Sequence, residues 1–335
     1  MGKSYVPAVY RELGEMLRRI RIKADMTETQ LARRLGWPLT RISRMEHGRR
    51  TSTTVDVVQY AVACGMKAPE VGPILEFTRR AECKQGYYLS DKRIDGSLQS
   101  LIVHESSAEH VLSYEPQVIP GLLQTPDYAR ARILAVNPTI AKERLASAVH
   151  TRMERRQILN LPNPSRFTFY IHEQALRLRV GTDRVMHDQL LHLVLTAALD
   201  NVIVRIVPSL ARVFGDAFRL MEFNDCQPIV YLDGLRFGGL ILEDSDYVNN
   251  FYEFVPMLAD AALDEGQSSE FAAELADEYD RGSHWRVGEV AHKQLQRRRG
   301  NELRGGGMAE EQLQQRRGYG LCGGSVVSPS PIYEP

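Results

Sequence analysis

Several features that mark common classes of protein are scarce or missing in this sequence. The four cysteines, Cys64, Cys83, Cys226 and Cys322, lie far apart, with no Cys-x-x-Cys pair and no metal-ligand spacing. No apolar run approaches the roughly 20 residues that a membrane-spanning helix needs, and the first residues lack the apolar core of a signal peptide. We therefore expect a cytoplasmic protein with reduced thiols and no membrane contact.

The sequence also lacks the residue patterns on which common enzymes are built. It contains no Gly-x-Ser-x-Gly, no P-loop and no His-Glu-x-x-His. His172 and Glu173 are adjacent, and neighbouring side chains of a helix point in different directions. His187 and His192 are five residues apart, not the four of a helical metal pair. We expect no catalytic activity, no cofactor and no metal.

Net charge is absent as well, because 42 Lys and Arg residues balance 42 Asp and Glu residues. The balance is uneven along the chain. Residues 1–85 carry 16 basic and 9 acidic residues (+7), residues 86–280 carry 17 and 28 (−11), and residues 281–335 carry 9 and 5 (+4). A basic N-terminal segment, here called the head, precedes an acidic segment, here called the body. This arrangement favours a head that binds nucleic acid. Moderate asymmetry also arises by chance, so this interpretation depends on the motifs of the head.

The segment Met26–Arg50 has the pattern of two short helices joined by a tight turn. Thr27 and Gln30 fit a capping box, in which side chains of the first turn satisfy unpaired backbone N–H groups. Gly36 is placed to end the first helix in the left-handed conformation. Pro38 suits the first turn of the second helix, where a backbone N–H has no intrahelical partner.

In the second helix, the spacing of Ile42 and Met45 predicts that both face inward. The positions left for solvent or a partner are Leu39, Thr40, Arg41, Ser43 and Arg44. Two short helices that cross through a tight turn form a helix-turn-helix, whose second helix fits the major groove of DNA.

This segment resembles the helix-turn-helix of the XRE (lambda-repressor-like) regulators, over about residues 8–66. The residues that carry the resemblance are Thr27, Leu31-Ala32, Gly36, Ile42-Ser43-Arg44-Met45-Glu46 and Gly48-Arg49-Arg50. Two positions depart from the family pattern: Trp37-Pro38-Leu39 stands where a small or polar helix start is usual, and His47 stands where Asn is frequent. For Trp37, packing under the turn competes with a contact to DNA.

The sequence predicts a protein that is mainly α and has two domains. Residues 1–83 are expected to form an N-terminal five-helix lambda-repressor-like bundle, with a first helix at Val9–Lys23 and a last one at about Pro69–Glu82. Residues 84–99 are polar and rich in turn formers, which predicts a linker.

The predicted DNA-binding residues come from the two helices and the turn that follows them. They are Thr27, Glu28, Gln30, Pro38, Leu39, Thr40, Arg41, Ser43, Arg44, Arg49 and Arg50. Arginine pairs bidentately with guanine, while Thr40 and Leu39 are suited to base edges or a thymine methyl. Ser43, Arg49, Arg50 and the start of the first helix favour phosphate contacts, which fix register only. A merely solvated arginine face is the alternative.

Residues 100–281 mix helical and strand-like segments, which predicts a C-terminal α+β domain with a small sheet of four or five strands. The expected strands are Phe167–Ile171, Val202–Pro208, Phe218–Phe223, Pro228–Leu232 and Leu240–Leu242. Residues 113–128 contain three prolines and read as an ordered loop that lies on the core. Residues 282–335 are Gly-, Arg- and Ser/Pro-rich and are expected to be a disordered tail.

This body resembles, over about residues 100–280, the uncharacterised C-terminal domain that follows XRE-type heads in actinobacterial regulators, some of them described as antitoxin-like. The segments that carry the resemblance are 120–129 (PGLLQTPDYA), Arg152-x-x-Arg155-Arg156-Gln157, Glu173-x-Ala175-Leu176-Arg177 and Gly181. The resemblance implies a small partner protein encoded by a neighbouring gene.

Two functional hypotheses remain open at the level of sequence. The first is a homodimeric, sequence-specific transcriptional regulator that binds double-stranded DNA. The second is an antitoxin-like protein whose body captures a small protein and whose head serves autoregulation. An apolar pocket at the 113–128 loop would favour a small-molecule effector, whereas an exposed apolar groove or sheet edge would favour a protein partner. Arg152, Arg155 and Arg156 are suited either to an anionic ligand or to ion pairs with the acidic body.

Overall fold

The computed structural model describes residues 6–83, 86–89, 96–234 and 238–281. The head consists of the five predicted helices. They are α1 Val9–Lys23, α2 Glu28–Leu35, α3 Leu39–Glu46, α4 Thr54–Ala63 and α5 Ala68–Glu82.

Local side-chain chemistry sets the ends of the helices in the head. The capping box before α2 is confirmed: Gln30 N donates to Thr27 Oγ1 at 3.2 Å, and Thr27 N donates to Gln30 Oε1 at 2.7 Å. Thr53 and Asp56 form a second box before α4. Gly36 ends α2 with a φ of +67°, the left-handed conformation that glycine adopts without steric cost.

The body is built on one mixed sheet of seven strands in the order β1-β7-β6-β5-β2-β3-β4. The strands are β1 Tyr87–Leu89, β2 His110–Glu115, β3 Arg166–His172, β4 Val202–Val207, β5 Phe218–Glu222, β6 Ile229–Gly234 and β7 Gly238–Leu242. β2, β3 and β4 run parallel, whereas the other neighbouring pairs are antiparallel. The carboxyl ends of the three parallel strands therefore meet at one edge of the sheet.

Helices cover both faces of this sheet. They are α6 Gly96–Ser107, α7 Pro126–Val136, α8 Lys142–Arg156, α9 Glu173–Arg177, α10 Asp183–Ala197, α11 Ser245–Ala261 and α12 Glu265–Asp280. Successive strand residues enter different cores: Val111 belongs to the core that contains the α10 and α12 side chains, and Leu112 to the one that contains α11. This alternation is the period of two that a strand imposes on its side chains.

The structure confirms the α+β body but corrects the size of its sheet, which has seven strands instead of four or five. β2 includes Ser113, Tyr114 and Glu115, which the sequence assigned to a loop. Five of the six β2 residues are buried, so the strand lacks the apolar–polar alternation that identifies a half-exposed strand. The strand β1 has only three residues and owes its conformation to pairing with β7.

The segment predicted as a linker, residues 84–99, contains regular secondary structure. It contains β1, which pairs in register with Leu240–Leu242, and the first turn of α6. Residues 84–85 and 90–95 of that segment, and the predicted tail at 282–335, lie outside the described residues. The division into domains at these boundaries stays a prediction.

Head and body contact each other within one compact unit that extends to Asp280. The backbone N–H of Ala8 donates to the Glu243 carboxylate after β7. The guanidinium of Arg11 on α1 lies over the Phe223 ring, 3.9 Å from its centroid. Among the described residues, no helix has the length and apolar character that crossing a membrane requires.

Candidate nucleic-acid interface

A buried ionic contact fixes α3, the candidate recognition helix, against the rest of the head. Glu46, its last residue, accepts two hydrogen bonds of 2.7 Å from the guanidinium of Arg21 on α1. The Tyr60 hydroxyl of α4 donates a third, also 2.7 Å long. The hydrogen bonds to Glu46 raise the pKa of Arg21, so the arginine stays charged. α3 is therefore held by α1 and α4 at the end opposite to its N-terminal side chains.

The two faces of α3 are those that its spacing predicts. Ile42 and Met45 are at most 1% exposed. Outward positions are the exposed Pro38, Leu39, Thr40 and Arg44, together with the half-buried Arg41 and Ser43. The apolar core uses none of these side chains, so this outward face is open to a partner except where other residues of the head engage it.

Arg41 is already engaged within the head. Its Nη2 lies 2.6 Å from Asp56 Oδ1 on α4, and its guanidinium stacks 3.7 Å from the centroid of the Trp37 ring. Arg50 reaches the second oxygen of Asp56, Oδ2, at 3.5 Å. Trp37 therefore supports the turn through Arg41, which favours the packing interpretation of this residue. Arg41 would have to leave Asp56 in order to pair with a base.

Arg44 differs from Arg41 in its exposure and in its contacts. It is exposed, and among the described residues no carboxylate lies within ion-pair distance of its guanidinium. It lines an open concavity of about 500 Å³ together with Thr40, Arg41 and Arg50. A positively charged concavity beside an exposed helix face is suited to the edge of a base pair and its phosphate.

The start of α2 presents a helix N-terminus to solvent. The side chains of Thr27 and Gln30 are exposed but are used in the capping box. Glu28 is half-buried and lies 4.0 Å from Arg21. Backbone N–H groups of this first turn can hold a phosphate, whereas the Glu28 carboxylate opposes an anion. Thr27 and Gln30 would thus contribute to phosphate binding indirectly, because their capping box orders the backbone N–H groups of this turn.

Arg49, a predicted phosphate contact, lies beside the body. Its Nη2 is 3.2 Å from Asp225 Oδ2 in the loop between β5 and β6, and both side chains are exposed. The preceding Gly48 has a φ of +60°, and a Cβ there would lie 2.4 Å from Arg11 Cα. The turn after α3 is thus tightly packed on α1 while its arginine faces an acidic group.

The sequence analysis did not identify three carboxylates that control these arginines: Glu46, Asp56 and Asp225. The capping pattern Thr53-x-x-Asp56 was available as a signal for a helix start. Nothing in the spacing connects Arg41 with Asp56, 15 residues later, or Arg49 with Asp225, 176 residues later.

The arginines of α8 take different partners. Arg155 is buried and donates to Glu105 on α6 at 2.7 Å, which agrees with the ion-pair alternative. Arg152 instead donates to the amide oxygen of Gln124 at 3.0 Å, and Arg156 lies 3.1 Å from His192 Nε2. Gln124 belongs to the 120–129 segment and is itself fully buried. One function of that distinctive segment is therefore to position the arginines of α8.

The histidines and Glu173 weighed as catalytic candidates have local partners. His172 Nδ1 accepts from the backbone N–H of Gln174, which caps α9, and Glu173 pairs with Arg177 at 2.6 Å. His187 lies 3.1 Å from Asp188. In the part of the chain that the structure describes, no group of three or more His, Cys, Asp or Glu side chains has the arrangement of a metal site.

Comparison with known protein families gave one match in the head and one in the body. A family model described as a helix-turn-helix domain matches residues 12–72. A second, described as a domain of unknown function (DUF5753), matches residues 98–274. Searches of curated proteins and of solved structures gave no match. The first match agrees with the geometry of α2 and α3 and supports a DNA-binding regulator.

Proposed function

The chain belongs to the family of the domain of unknown function DUF5753, and we propose that it is a sequence-specific transcriptional regulator of the XRE type. The observation that carries this proposal is the fixed position of α3. Its apolar face is buried, Glu46 ties it to α1 and α4, and Arg44 is left exposed and without a described carboxylate partner. A rigid helix with a free arginine on its outer face suits the major groove.

In this proposal Arg44 and Thr40 contact base edges, and Leu39 contacts a thymine methyl. Arg49, Arg50, Ser43 and the start of α2 contact phosphates. We further propose that two copies bind as a homodimer, so that their α3 helices enter successive major grooves about 34–36 Å apart on a near-palindromic site. The role is one of binding; we propose no catalytic step.

The test is a binding titration of the full chain with DNA from its own promoter and with a random duplex, at several salt concentrations. We expect tight binding to the promoter, and we expect Arg44→Ala to reduce that preference by about tenfold, as for one bidentate pair worth roughly 1–3 kcal/mol. Arg184→Ala is the matched control, because Arg184 on α10 has a side chain that is 91% exposed. Promoter preference that survives Arg44→Ala would contradict the assignment of Arg44.

An antitoxin-like role is the second candidate, and one observation favours it. Leu210 and Phe214, in the segment between β4 and β5, are 93% and 86% exposed. Phe214 also lines a concavity of about 480 Å³ with Met257 and Phe254 of α11. Exposed large apolar side chains beside a concavity are typical of a surface that another protein covers.

Co-expression with the product of the neighbouring gene tests this candidate. Capture of that protein by the wild type, and its loss in the double variant Leu210→Ser/Phe214→Ser, would support it. The double variant Leu191→Ser/Leu195→Ser on α10 is the control, since these side chains are also exposed. No capture, or capture unchanged by the loop variant, would reject the proposed surface.

A further inference from the structure

A large open cavity lies at the carboxyl ends of the parallel strands. It has a volume of about 980 Å³ and is lined by residues that end or follow β2, β3 and β4, namely Glu115, His172 and Ser209. α7 forms another wall. The crevice outside the carboxyl ends of parallel strands is the usual ligand position in α/β sheets. We call this cavity the strand-end pocket.

The walls of the strand-end pocket are largely apolar. Val118, Val136, Leu178, Val180 and Leu232 contribute side chains to it. Such walls suit the apolar part of a small molecule, because moving apolar surface out of water lowers the free energy. Part of the lining belongs to residues 113–128, the segment for which an apolar pocket had been expected to indicate a small-molecule effector.

The charged groups of the pocket differ in their burial and in their ion pairs. Asp216, Asp233 and Arg212 are exposed, whereas Arg132 on α7 is half-buried. Among the described residues, no carboxylate lies within ion-pair distance of Arg132. Two other lining groups are compensated, because Arg179 pairs with Asp183 at 3.1 Å and Glu115 pairs with Arg219 at 2.7 Å. Within the described part of the chain, Arg132 is therefore an inner cation with no carboxylate in ion-pair contact.

The protein behind Arg132 adds to this positive charge. Glu105, Glu115, Arg155 and Arg219 form a buried network with two charges of each sign, joined by contacts of 2.5–4.0 Å. Arg152 beside it has only the neutral amide of Gln124 as its described side-chain partner. Burial and the nearby charge of Arg132 lower the pKa of Arg152 to about 10, and the exposed Asp233 offsets this in part.

We propose that the strand-end pocket binds a small organic anion with an apolar body, whose carboxylate or phosphate group pairs with Arg132. Bound there, the anion places negative charge beside Arg132 and Arg152, for which the described residues provide no ion-paired carboxylate, while the apolar body lies against Val136 and Leu178. An uncompensated cation in a partly desolvated site costs free energy, and an anion offsets that cost. The chemistry common to a carboxylate and a phosphate ester defines the ligand class.

The test is calorimetric titration of the full chain with hexanoate, hexyl phosphate, inorganic phosphate and hexan-1-ol. DNA is omitted, so the result does not depend on the proposed regulatory function. We expect saturable binding of hexanoate or hexyl phosphate, and the comparison of these two identifies the preferred head group. Inorganic phosphate lacks the apolar body and hexan-1-ol lacks the charge, so both should bind more weakly.

Two variants locate the site. Arg132→Gln should weaken binding of the organic anion by roughly tenfold or more, because a charge-assisted hydrogen bond is lost. Val136→Glu places a carboxylate one helical turn from Arg132 on α7 and should have the same effect, because the new side chain pairs with Arg132. Arg184→Gln, on exposed α10 surface, should bind as the wild type does.

Three outcomes would overturn the proposal. The first is that neither organic anion binds. The second is binding that Arg132→Gln and Val136→Glu leave unchanged. The third is inorganic phosphate or hexan-1-ol binding as tightly as the organic anions, since either the apolar walls or the cation would then contribute nothing.

Discussion

Arg41 and Asp56 form an ion pair between α3 and α4, with 2.6 Å between Nη2 and Oδ1. Trp37 covers the same guanidinium at 3.7 Å. Arg44, three residues later, is exposed and has no described carboxylate partner. The sequence analysis assigned both arginines to the outward face of α3, but their contacts differ. Arg41 is ion-paired within the head, whereas the guanidinium of Arg44 is available to bind DNA.

From this difference we expect Arg41→Ala and Arg44→Ala to have distinct effects. Arg41→Ala should lower the free energy of unfolding by about 1–2 kcal/mol, since the buried Asp56 loses a charged hydrogen bond. It should reduce promoter preference less than Arg44→Ala does. Urea unfolding and competition binding against random DNA measure the two effects. A larger loss of preference in Arg41→Ala would show that Arg41 leaves Asp56 and reads a base.

If Arg49 contacts a phosphate as proposed, Asp225 competes with that phosphate for its guanidinium. We expect Asp225→Asn to strengthen binding to promoter and random DNA alike, by about two- to fivefold at low salt, which is the range of an exposed ion pair. The gain should shrink as salt screens the charges. Asp200→Asn removes the same charge from the turn between α10 and β4 and serves as the control. An equal gain in the control would mean that only net charge matters.

Arg49→Ala should weaken binding to all duplexes alike and make the salt dependence shallower, since one phosphate contact is lost. Salt titrations with promoter and random DNA give both quantities. A loss confined to the promoter would contradict the phosphate role of Arg49.

Arg21 stabilises the head through a buried carboxylate. Arg21→Ala should lower the free energy of unfolding by about 3–5 kcal/mol, because Glu46 would keep a buried charge without its cation. Urea unfolding measures this change. Arg19→Ala on the same helix removes an exposed pair with Glu15 and should cost about 0.5 kcal/mol or less. Similar losses in both variants would contradict the role assigned to Glu46.

We expect His104 to make the stability of the protein depend on pH. Its imidazole is fully buried, its Nε2 lies 2.8 Å from the Tyr88 hydroxyl, and burial and the Arg11 charge hold its pKa well below 6.5. The unfolded chain takes up a proton near pH 6.5 that the folded chain does not, so this contribution to stability is present above that pH and lost below it. The loss grows by at most about 1.4 kcal/mol for each pH unit below 6.5.

We expect His104→Gln to remove this loss, and urea unfolding at pH 7 and pH 5 measures it. Burial raises the pKa of the nearby Glu243 and gives a contribution of opposite sign, so the comparison must be made between variants. His150→Gln, at an exposed position on α8, should keep the wild-type pH dependence. If His104→Gln loses as much stability on acidification as the wild type, His104 is not the titrating group.

The head was predictable nearly residue by residue because its helix ends are set by neighbours in sequence. Thr27 and Gln30, Gly36 and Thr53 act within one helical turn of where they stand. β2 was not predictable in this way, since it is buried on both sides and its partners, β3 and β5, begin 56 and 108 residues after its first residue. The short β1 likewise depends on a partner strand far along the chain.

The candidate interface likewise has features that sequence neighbours determine and features that only the fold determines. The outward position of Arg44 follows from helical spacing, which is local information. Whether an outward arginine is free depends on carboxylates brought close by the fold, as Asp56 and Asp225 are. The same holds for Arg132 and Arg152, whose lack of a described counter-ion becomes visible only when the buried network around Glu105 is placed.

The pairing of β1 with β7 bears on the geometry of the operator. Four residues separate Glu82, at the end of α5, from Tyr87, which is already fixed in the sheet. In the proposed dimer, each recognition helix would therefore be held by its body at a set distance and a set rotation about the DNA axis. Five extra base pairs between the half-sites turn one of them by about half a helical turn. A protein on long tethers could follow that rotation; this one should lose the second half-site.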